Sequence, residues 1–412
     1  MNVKPAQSPL APKTTPTLPR VAGVKLGAAR SGVRYKDRDD IMLAVVPAGA
    51  TIAGVLTRSK TSSAPVDWCR KNLARGKVRA IVVNAGNANA FTGKAGDKAV
   101  EESTRAIAQA LGCPRNEVFM ASTGVIGQPL DWEKIAAVVP ALIKSGREDG
   151  WAAAAGAIMT TDTFPKLATR QAKIGERTVT INGFLKGSGM IAPDMATMLG
   201  YLFTDAALPA TVLQPLLKEA ADKSFNCVTV DGDTSTSDTL LLCATGQAKN
   251  AAITNARDPR LADFRRALDA VSTDLAQQLA RDGEGAEKFV TIEVTGAEND
   301  GAARRIGLSI GNSPLVKTAI AAADANWGRI VMAVGKAGEK AERDRLSISV
   351  GGIQIAAEGG PVPGYREGPV SEHMKGREIH IAVNLGIGSG RATIWTCDLT
   401  HGYIDINGSY RS

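Results

Sequence analysis

The chain of 412 residues is poor in aromatics, at 4%, and holds only three histidines. Nucleic-acid surfaces stack bases on aromatic rings set among basic residues. Here the net charge of +8 comes from scattered lysines and arginines, so it reads as a solvated positive surface; small anionic substrates stay compatible with it, and nucleic acid does not. No run of about 18 uncharged apolar residues occurs, so no membrane-spanning helix is expected. The first 36 residues carry neither an apolar signal core nor an acid, which argues against secretion. The prolines at 5, 9, 12, 16 and 19 mark residues 1–22 as a flexible arm, preferred over a transit peptide because no arginine precedes Arg20. Cys69, Cys113, Cys227, Cys243 and Cys397 are odd in number and form no CxxC pair. They read as reduced thiols of a cytoplasmic protein, without a disulfide framework. All three histidines fall late (His373, His380, His401) and no GxSxG elbow is present, so nothing announces a Ser-His-Asp triad.

What is abundant is apolar residue, 44% of the chain, enough for a large core in one elaborate unit or two to three smaller ones. Residues 41–56 and 78–84 are β-branched runs bounded by Gly and Asn and read as buried strands. In 95–111, Val100, Thr104, Ile107, Ala108 and Leu111 recur at helical spacing, closed by Gly112. The same periodicity predicts helices near 131–145, 148–158, 208–223 and 261–281. Two strands flank Gly175 between 166 and 185, and strands return in "FVTIEV", "LSISV", "EIHIAVNLGIG" and "RATIWTCDL". "GIGSG", Gly386–Gly390, lies between two of these and lacks the helix of a phosphate-binding loop, so a hairpin turn is expected. Strands grouped in hairpins and helices grouped in pairs predict an α+β fold of packed sheets covered by helices, an αββα-type sandwich.

One stretch breaks the apolar pattern. In "KGSGMIAPDMATMLGYLFTDA", Gly187, Gly189 and Pro193 interrupt regular structure, and a buried strand is entered at Thr197. By position alone Thr197 closes a turn with its hydroxyl on nearby backbone. The chemical alternative is attack by its Oγ on the carbonyl of Ala196, converting the amide to an ester that water cleaves. The freed α-amine, with a reference pKa of about 7.7 to 8.0, then serves as the base for its own hydroxyl. Such a nucleophile needs donors for an oxyanion. "VFMASTGVIG" reads as a strand entering a loop where the Thr123 hydroxyl and the Gly124 amide offer them, although "STG" alone is ordinary turn chemistry. "VDGDTSTSD", with Asp231, Asp233 and Asp238, departs from the calcium-loop pattern; a hydrogen-bonded loop is expected, and no metal site.

Taken in order, "NAGNANAFTG", "ASTGVIG", "MTTDTFPK", "KGSGMIAPDMATML", "FNCVTVDGDTSTSDT", "GEGAEKF", "SPLVKTAI" and "DANWGRI" resemble the bifunctional ornithine acetyltransferases, or glutamate N-acetyltransferases, of arginine biosynthesis, from about Gly23 to Ser412. The resemblance implies a self-cleaving enzyme with an N-terminal nucleophile, cut between Ala196 and Thr197 into chains 23–196 and 197–412 that stay associated as a heterotetramer or larger assembly. Thr197 would carry an acetyl group from N-acetylornithine to glutamate, with acetyl-CoA a further candidate donor and no resident cofactor. It implies an oxyanion hole of Thr123 and Gly124 and substrate contacts from Thr163, Lys186, Thr197, Glu284, Asn407 and Ser412. Lys186 suits an α-carboxylate and Glu284 a cationic amine. "YIDINGSYRS" begins as an alternating strand that would hold Asn407 and Ser412, where relatives often end in threonine. Two other readings stand beside this one: an amidase or aminopeptidase with a similar nucleophile, which would release acetate, and a noncatalytic small-molecule binder, which would stay uncut.

Overall fold

The structure, a computed structural model, describes residues 6–192 and 198–408; Ala196, Thr197 and Ser412 lie outside the described residues. Its strands form three sheets. The first runs in the order β1 (Lys25–Ala29), β2 (Ile41–Val45), β4 (Ala80–Asn87), β5 (Val118–Val125), and the second in the order β3 (Thr51–Leu56), β9 (Thr239–Ala244), β8 (Leu199–Thr204), β7 (Arg177–Lys186), β6 (Lys166–Ile174).

The inner strands of these sheets, such as β2, β8 and β9, are apolar on consecutive residues because they are covered on both faces. In β2, Ile41 and Leu43 enter an outer core with the helices Gly93–Leu111 and Trp132–Ser145, whereas Met42 and Ala44 enter the core between the two sheets. In β9, Leu241 and Cys243 face the first sheet while Leu240 and Leu242 meet the helices Ala210–Lys223 and Ala262–Arg281. The expected αββα sandwich is therefore present. Its centre is a ring cluster of Trp151, Phe184, Tyr201 and Phe203, with Trp151 and Phe203 edge to face at 5.7 Å.

The third sheet extends the sandwich, in the order β13 (Gly360–Pro361), β12 (Ile353–Ala357), β11 (Ser347–Val350), β14 (Glu378–Asn384), β10 (Phe289–Ala297), β15 (Gly390–Cys397). In β10, Val290, Ile292 and Val294 point to the helix Asp300–Gly311 and its core, and Glu293 and Thr295 to solvent. This order corrects one expectation. The "GIGSG" segment is no hairpin turn, because β14 and β15 are both partners of β10 and the connection must cross its end, where Leu385 and Ile387 amides bond to Thr295 and Gly296 carbonyls. A second correction concerns the C-terminal segment. "HGYIDIN" is a helix, His401–Asn407, opened by Thr400, whose hydroxyl accepts from the Gly402 amide at 3.1 Å. Two apolar residues in alternation fit either element, and the cap decided between them.

The proline-rich segment expected as a flexible arm is, over residues 8–21, packed on the body. Leu10, Leu18 and Val21 are buried, and Ser8 donates through its amide to Thr163 Oγ1 and through its hydroxyl to the Arg281 carbonyl.

Topology positions the site. β7 runs antiparallel to β8, and β9 parallel to it, so Lys186, Leu199 and Thr239 stand in a row at one edge of the second sheet. The end of β5, with Thr123 and Gly124, arrives there from the first sheet and lines the same cleft.

Candidate active site

The strand ends enclose a cleft of about 290 Å³. Thr123 and Gly124 line one wall, Lys186 and Met198 another, and Ser235 to Asp238, Glu284 and Asn407 complete it. The wall at Gly124 depends on local backbone strain. Its φ is +129°, and a Cβ there would overlap the backbone of Gly86 on β4, so only glycine fits. A bulge between Gly86 and Asn87 re-aims this end of β5. The asparagines of "NAGNANAFTG" hold the bulge: Ser122 Oγ donates to Asn84 Oδ1 at 2.6 Å, Asn84 Nδ2 to the Asn87 carbonyl at 2.9 Å, and Asn87 Nδ2 to the Gln128 carbonyl at 3.1 Å.

Lys186 Nζ lies 3.3 Å from Thr123 Oγ1 and 3.9 Å from Asp162 Oδ2. Burial lowers its affinity for a proton, while Asp162 pulls the other way. Glu284 takes a hydrogen bond from Asn407 Nδ2 at 2.7 Å, and burial raises its carboxyl above the usual range. Gly189 packs against that carboxylate so closely that a side chain there would displace it. Lys186 and Glu284 thus present a cationic and an acidic group in one enclosed space, a fit for a zwitterion.

The segment leading to the expected cut is clamped on both sides. Asp231, from "VDGDTSTSD", accepts the Met190 and Ile191 amides at 2.7 and 2.8 Å. On the far side, the Thr239 amide donates to the Met198 carbonyl at 2.9 Å. Met198 lines the cleft, and Thr197 precedes it in the chain.

The ArgJ family model matches residues 25–412. The arginine biosynthesis bifunctional proteins ArgJ of Mesorhizobium japonicum and Bradyrhizobium diazoefficiens are each 57% identical over 408 residues, covering 98% of this chain and 99% of the relative. The chain belongs to the ArgJ family. A crystal structure of ArgJ from Bacillus halodurans is 42% identical, with a TM-score of 0.48 over 50% of this chain and 96% of that one. As an ArgJ chain the protein is an enzyme, an acetyltransferase of the arginine-biosynthetic type.

Of the residues named from sequence, the ArgJ cleft gathers Thr123, Gly124, Lys186, Glu284 and Asn407. Thr163 stands apart from its lining: its amide and hydroxyl donate to Asp282 at 2.9 and 2.5 Å, while Thr160 and Thr161 of the same "MTTDT" motif face the cleft. Sequence reasoning missed what lies beneath. Lys166, fully buried, bridges Asp162 at 2.7 Å and Asp282 at 2.5 Å, and Asp162 also accepts the Gly187 amide at 2.6 Å. This knot ties together the "TTDT", "KGSG" and "DGEG" segments. The signal was available in part, since Asp162 and Lys166 are four apart in an apolar setting, but Asp282 is 116 residues away from Lys166. All five cysteines are free.

Proposed function

We propose that this ArgJ chain transfers the acetyl group of N-acetyl-L-ornithine to L-glutamate through an acetyl ester on Thr197, after cleaving itself between Ala196 and Thr197. The observation that carries the reading is the convergence of Thr123, Gly124, Lys186 and Glu284 on one enclosed cleft that Met198, next in the chain to Thr197, also lines. The Thr197 hydroxyl attacks the acetyl carbonyl and passes its proton to the α-amine freed by the cut. The developing oxyanion is met by the Thr123 hydroxyl and the Gly124 amide. Lys186 holds the amino-acid carboxylate, and Glu284, steadied by Asn407, holds an amine. Glutamate then accepts the acetyl group in the second half of a ping-pong cycle, so one hard amide exchange becomes two easier steps. No resident cofactor is required, acetyl-CoA is the alternative donor, and the cytoplasm is the setting.

The sheet order supports the association of the two fragments. β6, β7 and β3 precede the cut and β8 and β9 follow it, yet all five share one sheet, with β8 between β7 and β9. Separation would break the β7–β8 and β3–β9 ladders and open the ring cluster, so the halves stay together without a covalent link.

Intact mass spectrometry before and after exposure to N-acetylornithine tests the reading. Two fragments divided at residue 197, with one acetyl adduct on the second, are expected. A continuous, fully active chain would sink it. Release of acetate instead of N-acetylglutamate would make the protein a hydrolase.

A further inference from the structure

One acid of the cleft has no role in the reaction as described. Asp238 is 2% exposed, lines the cleft, and its Oδ2 has no hydrogen-bonding partner among the described residues. A buried carboxyl oxygen left unpaired is costly. The other acids near the cleft are engaged: Glu284 with Asn407, Asp162 with Lys166 and the Gly187 amide, Asp231 with the Met190 and Ile191 amides. Position adds to this. Thr239 pairs with Leu199, so Asp238 stands at the strand edge beside Met198, the residue after Thr197. Lys186 also acts on the Asp238 carboxyl through its charge.

The geometry points to Asp238 as the acid and base for the reacting nitrogen, donating a proton to the amine that leaves in the first half-reaction and taking one from the amine that enters in the second. This inference rests on the acetyl-transfer reading above. In the first half, the bond between acetyl carbon and substrate nitrogen breaks, the nitrogen keeps the electron pair, and the Asp238 carboxyl supplies its proton and becomes a carboxylate. In the second, glutamate enters with its α-amine free, its ammonium proton given to solvent in exchange for the one that the departing ornithine amine takes up. The glutamate amine attacks the acetyl ester, and the carboxylate takes the proton that the nitrogen sheds as it becomes an amide. The nitrogen–carbon bond re-forms, the threonine oxygen leaves, and it regains its proton from the α-ammonium of Thr197. Each cycle therefore returns Asp238 to its starting form. Burial suits it to that form: it holds the carboxyl well above the usual carboxylate range, against the pull of Ser235 and Lys186.

The test compares an amide donor with an ester donor. N-acetylornithine has a leaving nitrogen that needs a proton, whereas 4-nitrophenyl acetate releases a phenolate that needs none. In Asp238→Asn, measured per mole of cleaved protein, acetylation by N-acetylornithine should slow by about 10²-fold or more, and acetylation by the ester by less than about tenfold. Equal losses with both donors, or no loss with the amide, would overturn the assignment. Should the asparagine variant stay uncut, Asp238→Glu carries the same comparison, and a wild-type ratio of ester to amide rates there would overturn it too. If the ester labels a residue other than Thr197 in wild-type protein, the proposed function fails, separately from the role of Asp238.

Discussion

Two buried charged groups lie side by side under the cleft, and they differ in whether they are complete. Around Lys166, every partner is internal: Asp162 and Asp282 flank it, both lysine and Asp162 side chains are fully buried, and backbone amides of Thr160, Thr163 and Gly187 fill the carboxylates. Burial alone would raise Asp162, but Lys166 and Lys186 outweigh it and hold the carboxyl well below the usual range. Around Lys186 the set is open: its nearest acid is 3.9 Å away, Asp238 has an unpaired oxygen, and Glu284 is raised by burial. A closed network fixes the position of the segments it joins. An open one keeps binding capacity for a ligand, at a cost in stability that the closed one offsets.

Substitutions should separate the two. The largest effect is expected from Asp162→Asn, which strands Lys166 and Lys186 with one fewer anion and should cost about 3 to 5 kcal/mol of folding stability, read from chemical denaturation. A pH series sharpens this. Because the folded carboxyl is held low, its stabilisation is complete above the unfolded value of about 3.9 and is lost as the pH falls below it. The variant should lose that part of its acid sensitivity. Thr123→Ala belongs to the open side: transfer should slow by about 10²-fold or more, with the melting temperature unchanged. A drop in melting temperature matching that of Asp162→Asn would erase the distinction. Glu284→Gln should raise the KM for the amine-bearing substrate by about tenfold while leaving stability near wild type, as steady-state kinetics and a thermal melt would show. The smallest effect is expected at an exposed pair. Arg377 and Glu287, 2.9 Å apart with both side chains more than half exposed, should contribute less than about 0.5 kcal/mol, and Arg377→Ala should match wild type in denaturation.

How much was legible follows the same division. Strands such as β2, β4 and β8 were readable because two-sided burial writes a continuous apolar run into the sequence, and the helix Gly93–Leu111 because its apolar stripe ends at Gly112, in the left-handed conformation. Thr123, Gly124, Lys186 and Glu284 were named because their motifs resemble a family in order and spacing. Pairing was not readable. Nothing in "NLGIGSG" says that the next strand will cross β10, and "YIDI" does not announce a helix until Thr400 is seen capping it. Nor does "MTTDT" say which threonine faces the cleft, since that depends on where Asp282 stands.

The sequence by itself determined the α+β class, most elements, the family, and the nucleophile proposed at Thr197, because periodicity and motif order are local properties of the chain. Only the tertiary structure decided that Lys166 is neutralised from both sides, that Thr163 turns inward to Asp282, and that Asp238 is left with an oxygen to spare. Those facts depend on contacts between residues far apart in the chain, and burial, which sets the strength of every charge in the cleft, exists only once the sheets have closed over it.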